Sequence, residues 1–168
     1  MADLVTPTEV VALAFQRPLA VSRIEDALIN AIQVRYILPI LGEDFYDAVV
    51  ADAASYTTLV AYLKPIIAYY VRYQILPDVF TDVANTGVNR IPGNNRVPGT
   101  SEDLGSLKQS ALETAMMYVS AMTKYLDDNS TDYPLYYSGR NPDNRITIAG
   151  GIIHRNINID DFYNDTND

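Results

Sequence analysis

Two groups of acidic residues are the side chains of this sequence with the clearest potential for chemistry. Asp44 and Asp47 fall within one turn of an expected helix, and Asp127 and Asp128 lie at the end of another. Carboxylate oxygens grouped in this way are the ligands that calcium and magnesium prefer. Neither group has the spacing of a calcium-binding loop or a histidine partner, and acidic side chains are common at helix ends of acidic proteins. We therefore expect charge at helix ends, with a small cation- or ligand-binding domain as the alternative.

The sequence offers little for nucleophilic or acid–base catalysis. It has no cysteine, which excludes disulfides, a thiolate nucleophile and cysteine-based zinc or iron–sulfur sites. The single histidine, His154, lies in an expected strand, and no acid or hydroxyl is predicted beside it to complete a triad. Gly150-Gly151 lacks the following Lys and helix of a phosphate-binding loop. We expect no enzymatic activity, no catalytic residue, no metal site and no cofactor.

Length and charge limit the classes of partner. With 168 residues the chain fits one domain with a sizeable core, and its 48% hydrophobic content argues against general disorder. Its 12 basic and 21 acidic residues give a net charge of −9, which argues against tight binding to nucleic-acid phosphates. The sequence shows no apolar run of about 18 residues and no signal-peptide pattern. We therefore expect no membrane partner and synthesis in a cytoplasm.

Helix start signals recur through the first third of the chain, and they position the first acidic group. Residues 6–9, Thr-Pro-Thr-Glu, form a capping box, and residues 22–25, Ser-Arg-Ile-Glu, form a second one. The helix that follows the second box is expected to run to Pro39. After Gly42, acidic residues open a third helix over residues 43–54.

Two longer segments carry much of the apolar character. Residues 57–84 are apolar on nearly every side, which is typical of a helix buried by its own fold or by neighbouring subunits. Pro65 and Pro77 are expected to kink or divide this helix. Residues 101–127 form a long amphipathic helix. Its methionines are expected in the core rather than on an adaptable binding surface: Met116, Met117 and Met122.

Tyrosine is unusually abundant. The chain has 13 Tyr and no Trp. Tyrosine combines a large ring with a polar tip, a combination that suits protein–protein contacts. Some tyrosines of the helix at residues 57–84 must belong to the core, so this composition favours an interface only weakly.

Residues 85–100 differ sharply in composition from the helices on either side. They contain three Gly, two Pro and no acid, and they repeat a motif, Asn-Arg-Ile-Pro-Gly followed by Asn-Arg-Val-Pro-Gly. One interpretation is a flexible connection, and the other is an extended arm or hairpin that orders against a partner. On the second interpretation the expected contact residues are Arg90, Ile91, Arg96 and Val97.

The C-terminal region has β character. Residues 145–149 alternate apolar and polar side chains, Gly150-Gly151 is a hairpin turn signal, and residues 152–159 favour a second strand. Because a lone hairpin is marginally stable in water, it is expected to pack on the helices or pair with another chain. The acidic end over residues 160–168 is expected to be solvated. The contact residues expected in the hairpin are Ile146, Ile148, Ile152 and Ile153.

These elements together predict a mainly α protein. The expected architecture is a compact helical bundle with a long Pro/Gly-rich loop or arm and a C-terminal β-hairpin extension. The helical domain is expected over residues 1–128, with the arm at 85–100. The extension over residues 129–168 carries the hairpin and the acidic tail. Several of these elements look incomplete until another chain is present.

One motif carries a resemblance to known proteins. The segment from residue 36 to residue 46 resembles the signature Tyr-Ile-x-Pro-x-Leu-Gly-x-x-x-Tyr of small proteins encoded in the structural modules of Bacteroidetes phages, including crAss-like phages. The similarity covers most of residues 6–137 and leaves out the C-terminal hairpin and the acidic tail. The matching residues are Tyr36, Ile37, Pro39, Leu41, Gly42 and Tyr46.

The resemblance implies a head–tail connector, also called an adaptor or neck-ring protein. Such proteins are structural virion proteins that form a homo-oligomeric ring, commonly a dodecamer, below the portal protein of a tailed phage. The implied partners are the portal protein and other neck or tail proteins. DNA is implied to pass through the lumen without specific binding. The family has no catalytic residues, so none is carried over.

The physical chemistry of the chain agrees with this expectation. An acidic lumen repels passing DNA instead of binding it. Ring closure needs two different contact patches on each subunit, and strands of the arm or hairpin offer main-chain pairing to a neighbour. A tail-completion or head-closure protein is a further alternative, since it shares this composition and differs mainly in its position in the particle.

Overall fold

A computed structural model describes residues 4–15, 21–86, 89–90, 97–98, 100–138, 146–149 and 152–155. This part of the chain is mainly helical, which confirms the predicted mainly α class. The division into a helical domain over residues 1–128 and an extension over residues 129–168 stays a prediction.

The first helix begins at the predicted capping box. α1, Pro7–Ala14, has Thr6 as its N-cap, and the Thr6 hydroxyl accepts a hydrogen bond from the Glu9 N–H at 3.3 Å. The Glu9 carboxylate accepts the reciprocal bond from the Thr6 N–H at 2.8 Å. Two donors that the helix cannot satisfy internally are thereby paired.

The second predicted capping box, at residues 22–25, is wrong. Val21–Arg23 forms a single 3-10 turn, closed by a hydrogen bond from the Ile24 N–H to the Val21 carbonyl at 3.0 Å. This turn places Ser22 inside a helical turn rather than ahead of one. α2, Asp26–Ile32, starts only after Glu25, which makes no side-chain capping bond.

A π-helical turn at Gln33–Ile37 joins α2 to α3, Leu38–Leu41. The helix therefore passes the end predicted at Pro39, because that proline lies in the first turn of α3, where a missing N–H is tolerated. Gly42 then ends α3 with a φ of 84°, in the region that favours glycine. α4, Glu43–Ala51, follows at once and ends before the predicted residue 54.

α5, Thr57–Thr86, is one continuous helix with Pro65 and Pro77 inside it, so the two prolines do not divide it. The alternative, that they kink it, stays a prediction. A proline in a helix interior costs about 3 kcal/mol. Each fully buried aliphatic side chain contributes about 1.5–3 kcal/mol in the opposite direction. Burial therefore outweighs the two prolines in α5. Its fully buried aliphatic residues include Leu59, Leu63, Ile66, Ile67 and Val71.

α6, Ser101–Asp128, begins at a capping box that the sequence analysis did not predict. The Thr100 hydroxyl accepts from the Asp103 N–H at 3.2 Å, and the Asp103 carboxylate accepts from the Thr100 N–H at 3.0 Å. The principal packing of the bundle is α6 on α5, followed by α1 on α5. The core therefore lies around α5.

A short helix and two antiparallel strand pairs complete the described helices and strands. α7, Pro134–Ser138, packs on α4. β1, Asn89–Arg90, pairs with β2, Val97–Pro98, between α5 and α6 in the chain. β3, Ile146–Ala149, pairs with β4, Ile152–Arg155.

Candidate interaction surfaces

The predicted contact residues of the arm fall only partly within the described structure. Arg90 on β1 lies opposite Val97 on β2. Ile91 and Arg96 lie outside the described residues. The predicted contacts of all four residues with a partner stay predictions.

The predicted contact residues of the C-terminal hairpin lie on β3 and β4. The Gly150-Gly151 turn and the acidic end at residues 160–168 fall outside the residues that the structure describes. Partner contacts here also stay predictions. The backbone register places Ile146 opposite Arg155, Ile148 opposite Ile153, and Ile152 opposite Ala149.

The two acidic groups have roles at helix ends. Asp44 lies in the first turn of α4, where the peptide dipoles favour negative charge. Lys124 Nζ lies 2.8 Å from Asp128 Oδ2, and this hydrogen bond raises the pKa of Lys124. Among the described residues no three Asp, Glu or His side chains lie close enough to hold a metal ion. Both the helix-end interpretation and the cation-binding alternative stay predictions.

A row of stacked tyrosines joins α5 to α6. Tyr62 stacks on Tyr125 with ring centroids 5.1 Å apart, and Tyr69 stacks on Tyr118 at 5.9 Å. The earlier tyrosine of α5 contacts the later tyrosine of α6, and the later one of α5 contacts the earlier one of α6. The two helices are therefore antiparallel. The rings are half-buried, so they pack the helices together and still show an edge to solvent. We call Tyr62, Tyr69, Tyr118 and Tyr125 the tyrosine seam.

The tyrosine seam continues into an aromatic cluster at the α4 and α7 end of the bundle. The Tyr125 and Tyr133 hydroxyl oxygens lie 2.9 Å apart. The Phe45 ring contacts the rings of Tyr56, Tyr133 and Tyr136, with centroids 5.7–5.8 Å apart. Burial, followed by the hydrogen bond with Tyr125, raises the pKa of Tyr133. These contacts fix α7 and the end of α6 on α4.

The motif that carries the resemblance is built into the core. Tyr36, Ile37, Leu41 and Tyr46 are all buried. The Tyr36 ring stacks on the Tyr70 ring of α5 with centroids 4.0 Å apart. These four residues therefore pack the helices together, whereas Pro39 and Gly42 of the same motif are half-buried.

Two polar groups are buried beside this motif. Gln33, in the π-helical turn, accepts a hydrogen bond from the Leu4 N–H at 3.3 Å. The Tyr70 hydroxyl has no hydrogen-bond partner among the described residues. Burial raises the pKa of Tyr70 to about 12.

α1 is held on a different face of α5 from the tyrosine seam. The Lys64 ammonium pairs with the Glu9 carboxylate. Arg72 Nη1 donates to the Ala14 carbonyl at 2.8 Å, and the guanidinium carbon lies 5.8 Å from the Phe15 ring centroid. At about 100° per residue, Lys64 and Arg72 fall on a side of α5 well away from the tyrosines that contact α6. α1 and α6 therefore lie on different sides of the bundle.

Exposed apolar residues lie on each of these two sides. Leu13 on α1 is 42% exposed and Val21, in the 3-10 turn that packs on α1, is 39% exposed. We call Leu13 and Val21 the α1 patch. On α6, Leu107 is 40% and Met117 60% exposed. They lie on the exposed side of that helix with three small residues, and Glu113 borders this group one turn before Met117. We call these five residues the α6 face: Leu107, Ser110, Thr114, Met117 and Ala121.

The α6 face corrects one prediction. All three methionines of this helix were expected in the core. Met122 is fully buried and Met116 packs against the core, but Met117 is the most exposed large apolar residue in the part of the chain whose side chains are described. Spacing along the helix places Met117 near the centre of the exposed side, about 100° from the half-buried Tyr118.

The described helical body is strongly acidic. Its side chains over residues 4–15, 21–79 and 100–136 include 14 Asp and Glu against six Lys and Arg. Residues 85–100, by contrast, contain two Arg and no acid. Opposite charges are therefore separated along one chain.

Sequence reasoning missed the tyrosine seam and both exposed surfaces. A signal for the seam was present, because Tyr62 and Tyr69 are seven residues apart, as are Tyr118 and Tyr125. A spacing of seven puts residues on one side of a helix. A signal for the exposed Met117 was also present, because Met122 shares one side of α6 with Ala111 and Ala115, and Met117 falls on the opposite side.

A family model described as a family of unknown function (DUF6712) matches residues 22–146. The match takes in α2 to α7, together with β1 and β2, and stops at the first residue of β3. No curated protein and no solved structure matches the chain. None of the described helices is long and apolar enough to cross a membrane.

Proposed function

The chain belongs to the DUF6712 family of unknown function, and we propose that it is a structural virion protein, one subunit of a head–tail connector ring. The ring docks below the portal protein and joins capsid to tail around the DNA channel, in the neck of a tailed phage. The subunit is made in the host cytoplasm and has no enzymatic activity.

One observation carries this proposal: exposed apolar residues occupy two unlike surfaces on different sides of α5. The α1 patch centres on Leu13 and the α6 face on Met117. A symmetric pair of subunits needs one self-complementary surface, whereas a ring needs two different surfaces that fit each other. The α1 patch of one copy against the α6 face of the next supplies that arrangement.

The charge of the helical body supports a place around DNA. With 14 acidic against six basic side chains in its described part, the body repels phosphates. A basic surface would instead exchange counterions with the DNA and bind it. The genome then slides through the lumen without being held.

The finer architecture belongs to the same proposal. The body is a compact helical bundle, and residues 145–159 form a C-terminal hairpin that extends from it. The arm predicted over residues 85–100 is limited to residues 87–99, because α5 runs to Thr86 and Thr100 caps α6. Strand pairing with a neighbouring copy, the portal protein or another neck protein satisfies the open edges of such short strand pairs. The family match ends at residue 146, so the hairpin lies beyond the part shared with the family.

Two surface variants test the proposal in solution. Leu13→Glu puts a charge in the α1 patch, and Met117→Glu puts one in the α6 face. Leu13→Glu keeps an intact α6 face and Met117→Glu keeps an intact α1 patch. Because copies of one variant lack the complementary surface, neither variant is expected to associate alone. An equimolar mixture is expected to form dimers and nothing larger, because the intact α6 face of one variant meets the intact α1 patch of the other. Sedimentation velocity, at concentrations that drive the wild-type chain to associate, measures this.

Val34→Glu is the matched control. Val34 is also an exposed apolar residue, at 46%, but it lies in the π-helical turn and belongs to neither surface. This variant is expected to associate like the wild type. The proposal would be contradicted if Leu13→Glu or Met117→Glu alone associated as the wild type does. Loss of association in Val34→Glu would also contradict it.

A further inference from the structure

A groove lies between the start of α2 and the last third of α5. Its volume is about 380 Å³, within the range of small-ligand and peptide side-chain pockets. Leu28 of α2, with Ile75 and Val79 of α5, provides an apolar floor. Ile75 is buried, and the other two are half-buried. The floor therefore has room for aliphatic side chains from outside.

The rim of the groove is mainly acidic. Glu25 and Asp78 are both exposed and line it from opposite elements, together with Ser22 and Arg23. The Glu25 side chain makes no hydrogen bond that caps α2. A ligand with an aliphatic group next to a cation therefore fits both the floor and the rim.

We propose that this groove binds residues 87–99 of a second copy of the chain, an inference that rests on the proposed ring. The occupant carries the sequence Asn-Arg-Ile-Pro-Gly and then Asn-Arg-Val-Pro-Gly. Each repeat places an arginine next to an aliphatic residue. Ile91 or Val97 enters the apolar floor, and the neighbouring Arg90 or Arg96 meets the carboxylates of the rim.

Charge complementarity selects this occupant. Residues 87–99 contain two Arg and no acid, whereas the described helical body has 14 acids against six bases. Complementary charge raises the rate of encounter and fixes the register of a contact. Proline adds to the fit, since it limits the backbone freedom that binding would otherwise have to remove.

Position favours a second copy as the source of the segment. The groove uses the last third of α5, and residues 87–99 leave the helix at that same end, after Thr86. The groove also adjoins the α1 patch, because Val21 directly precedes Ser22. In the proposed ring the α1 patch meets the next copy, and this contact brings the segment of that copy close to the groove.

Engineered cysteines test the contact directly, because the chain has no native cysteine. One full-length chain carries Ser22→Cys at the groove, and a second carries Asn95→Cys in the segment. Mild oxidation of the mixture is expected to give a disulfide-linked heterodimer. Ser120→Cys, on the exposed side of α6, replaces Ser22→Cys as the matched control for random collision.

Charge reversal adds an independent measurement. Glu25→Lys with Asp78→Lys in the groove chain is expected to lower the cross-linked fraction about tenfold. Arg90→Glu with Arg96→Glu in the segment chain should restore it. Restoration distinguishes a direct contact from a general loss of folding.

Each outcome decides between the claims. A third chain carries both Ser22→Cys and Asn95→Cys. If these cysteines cross-link within that chain but not between the two singly substituted chains, the segment occupies its own groove and the inference is overturned. Cross-linking at the level of the Ser120→Cys control also overturns it. In both of these cases, normal association of the wild-type chain in sedimentation velocity would leave the proposed ring intact. Only the inference about the groove would then be overturned. A chain that neither cross-links nor associates contradicts both.

Discussion

At the scale of single residues, Gly42 and Gly105 occupy positions where the absence of a Cβ atom has opposite effects on stability. Gly42 joins α3 to α4 with φ 84° and ψ 155°, a conformation that is nearly exclusive to glycine. Gly105 lies inside α6, where glycine weakens a helix relative to alanine. An added Cβ meets no atom within 4 Å at either position, so only the backbone conformation distinguishes them.

Replacing each glycine by alanine should therefore change stability in opposite directions. Gly42→Ala is expected to lower the free energy of unfolding by about 1–3 kcal/mol. Gly105→Ala is expected to raise it by about 0.5–1 kcal/mol. Urea denaturation of the two variants and the wild type measures both changes. A Gly42→Ala variant as stable as the wild type would contradict the role of the positive φ at Gly42. A less stable Gly105→Ala variant would contradict the expectation for a glycine inside a helix.

Tyr70 is a second residue with a definite expectation. Its hydroxyl is buried without a partner among the residues described, and burial raises its pKa to about 12. Below pH 10 the group is protonated in both the folded and the unfolded chain, so it adds no pH dependence. Above pH 10 the unfolded chain ionises first, so stability falls until the pH reaches about 12. The slope contributed by this group approaches about 1.4 kcal/mol per pH unit.

Tyr70→Phe should remove the Tyr70 share of the alkaline decline, to which the raised pKa of Tyr133 also contributes. At pH 7 it should leave stability unchanged or higher, because an unsatisfied buried hydroxyl is lost. Tyr133→Phe is the matched control. It removes the hydroxyl that contacts Tyr125, and it is expected to lower stability at pH 7 by about 1 kcal/mol. Thermal unfolding at pH 7 and at pH 11 compares the variants. A loss at pH 7 in Tyr70→Phe as large as that in Tyr133→Phe would show that the Tyr70 hydroxyl has a partner.

At the scale of elements, the attachment of α1 to α5 depends on Glu9. This side chain caps α1 through Thr6 and pairs with Lys64 of α5. The hydrogen bond from Lys64, followed by that from the Thr6 backbone, lowers the pKa of Glu9. Because the folded pKa is lower than the ordinary value, the stabilisation is present above pH 4.5 and is lost as the pH falls through the folded pKa.

Glu9→Gln should therefore weaken the protein modestly at neutral pH and flatten its acid dependence below pH 4.5. The expected loss at pH 7 is under about 1 kcal/mol, because the ion pair is partly exposed and screened. Asp128→Asn, which removes the exposed pair with Lys124, should change nothing measurable. Urea denaturation at pH 7 and pH 3 measures both variants. Equal behaviour of Glu9→Gln and the wild type at both pH values would rule out this role for Glu9.

Much of the helical architecture could be predicted from local signals. The Thr6 capping box, the acids after Gly42 and the apolar spacing of residues 101–127 each specify a structure from neighbouring residues alone. The misses arose where packing overrides such signals. Pro65 and Pro77 stay within α5 because burial outweighs two lost hydrogen bonds. Glu25 is not part of a capping box because the 3-10 turn includes Ser22.

At the scale of the whole molecule, the sequence predicted an unfinished subunit but not the surfaces that would complete it. Helical spacing separates the exposed Met117 from the buried Met122, but it does not show that Met117 and Leu107 form one surface. The charge separation between body and arm was readable, since it needs only a count of residues. The groove beside α2 was not, because it joins residues about 50 positions apart in the chain.

A cryo-electron microscopy map of the virion neck tests the central claim most directly. The account predicts a closed ring of copies below the portal, with Leu13 of each copy against the α6 face of the next. It also predicts one unlike pair of surfaces at every contact. A map without this chain in the neck, or with copies joined in pairs through one and the same surface, would contradict the account.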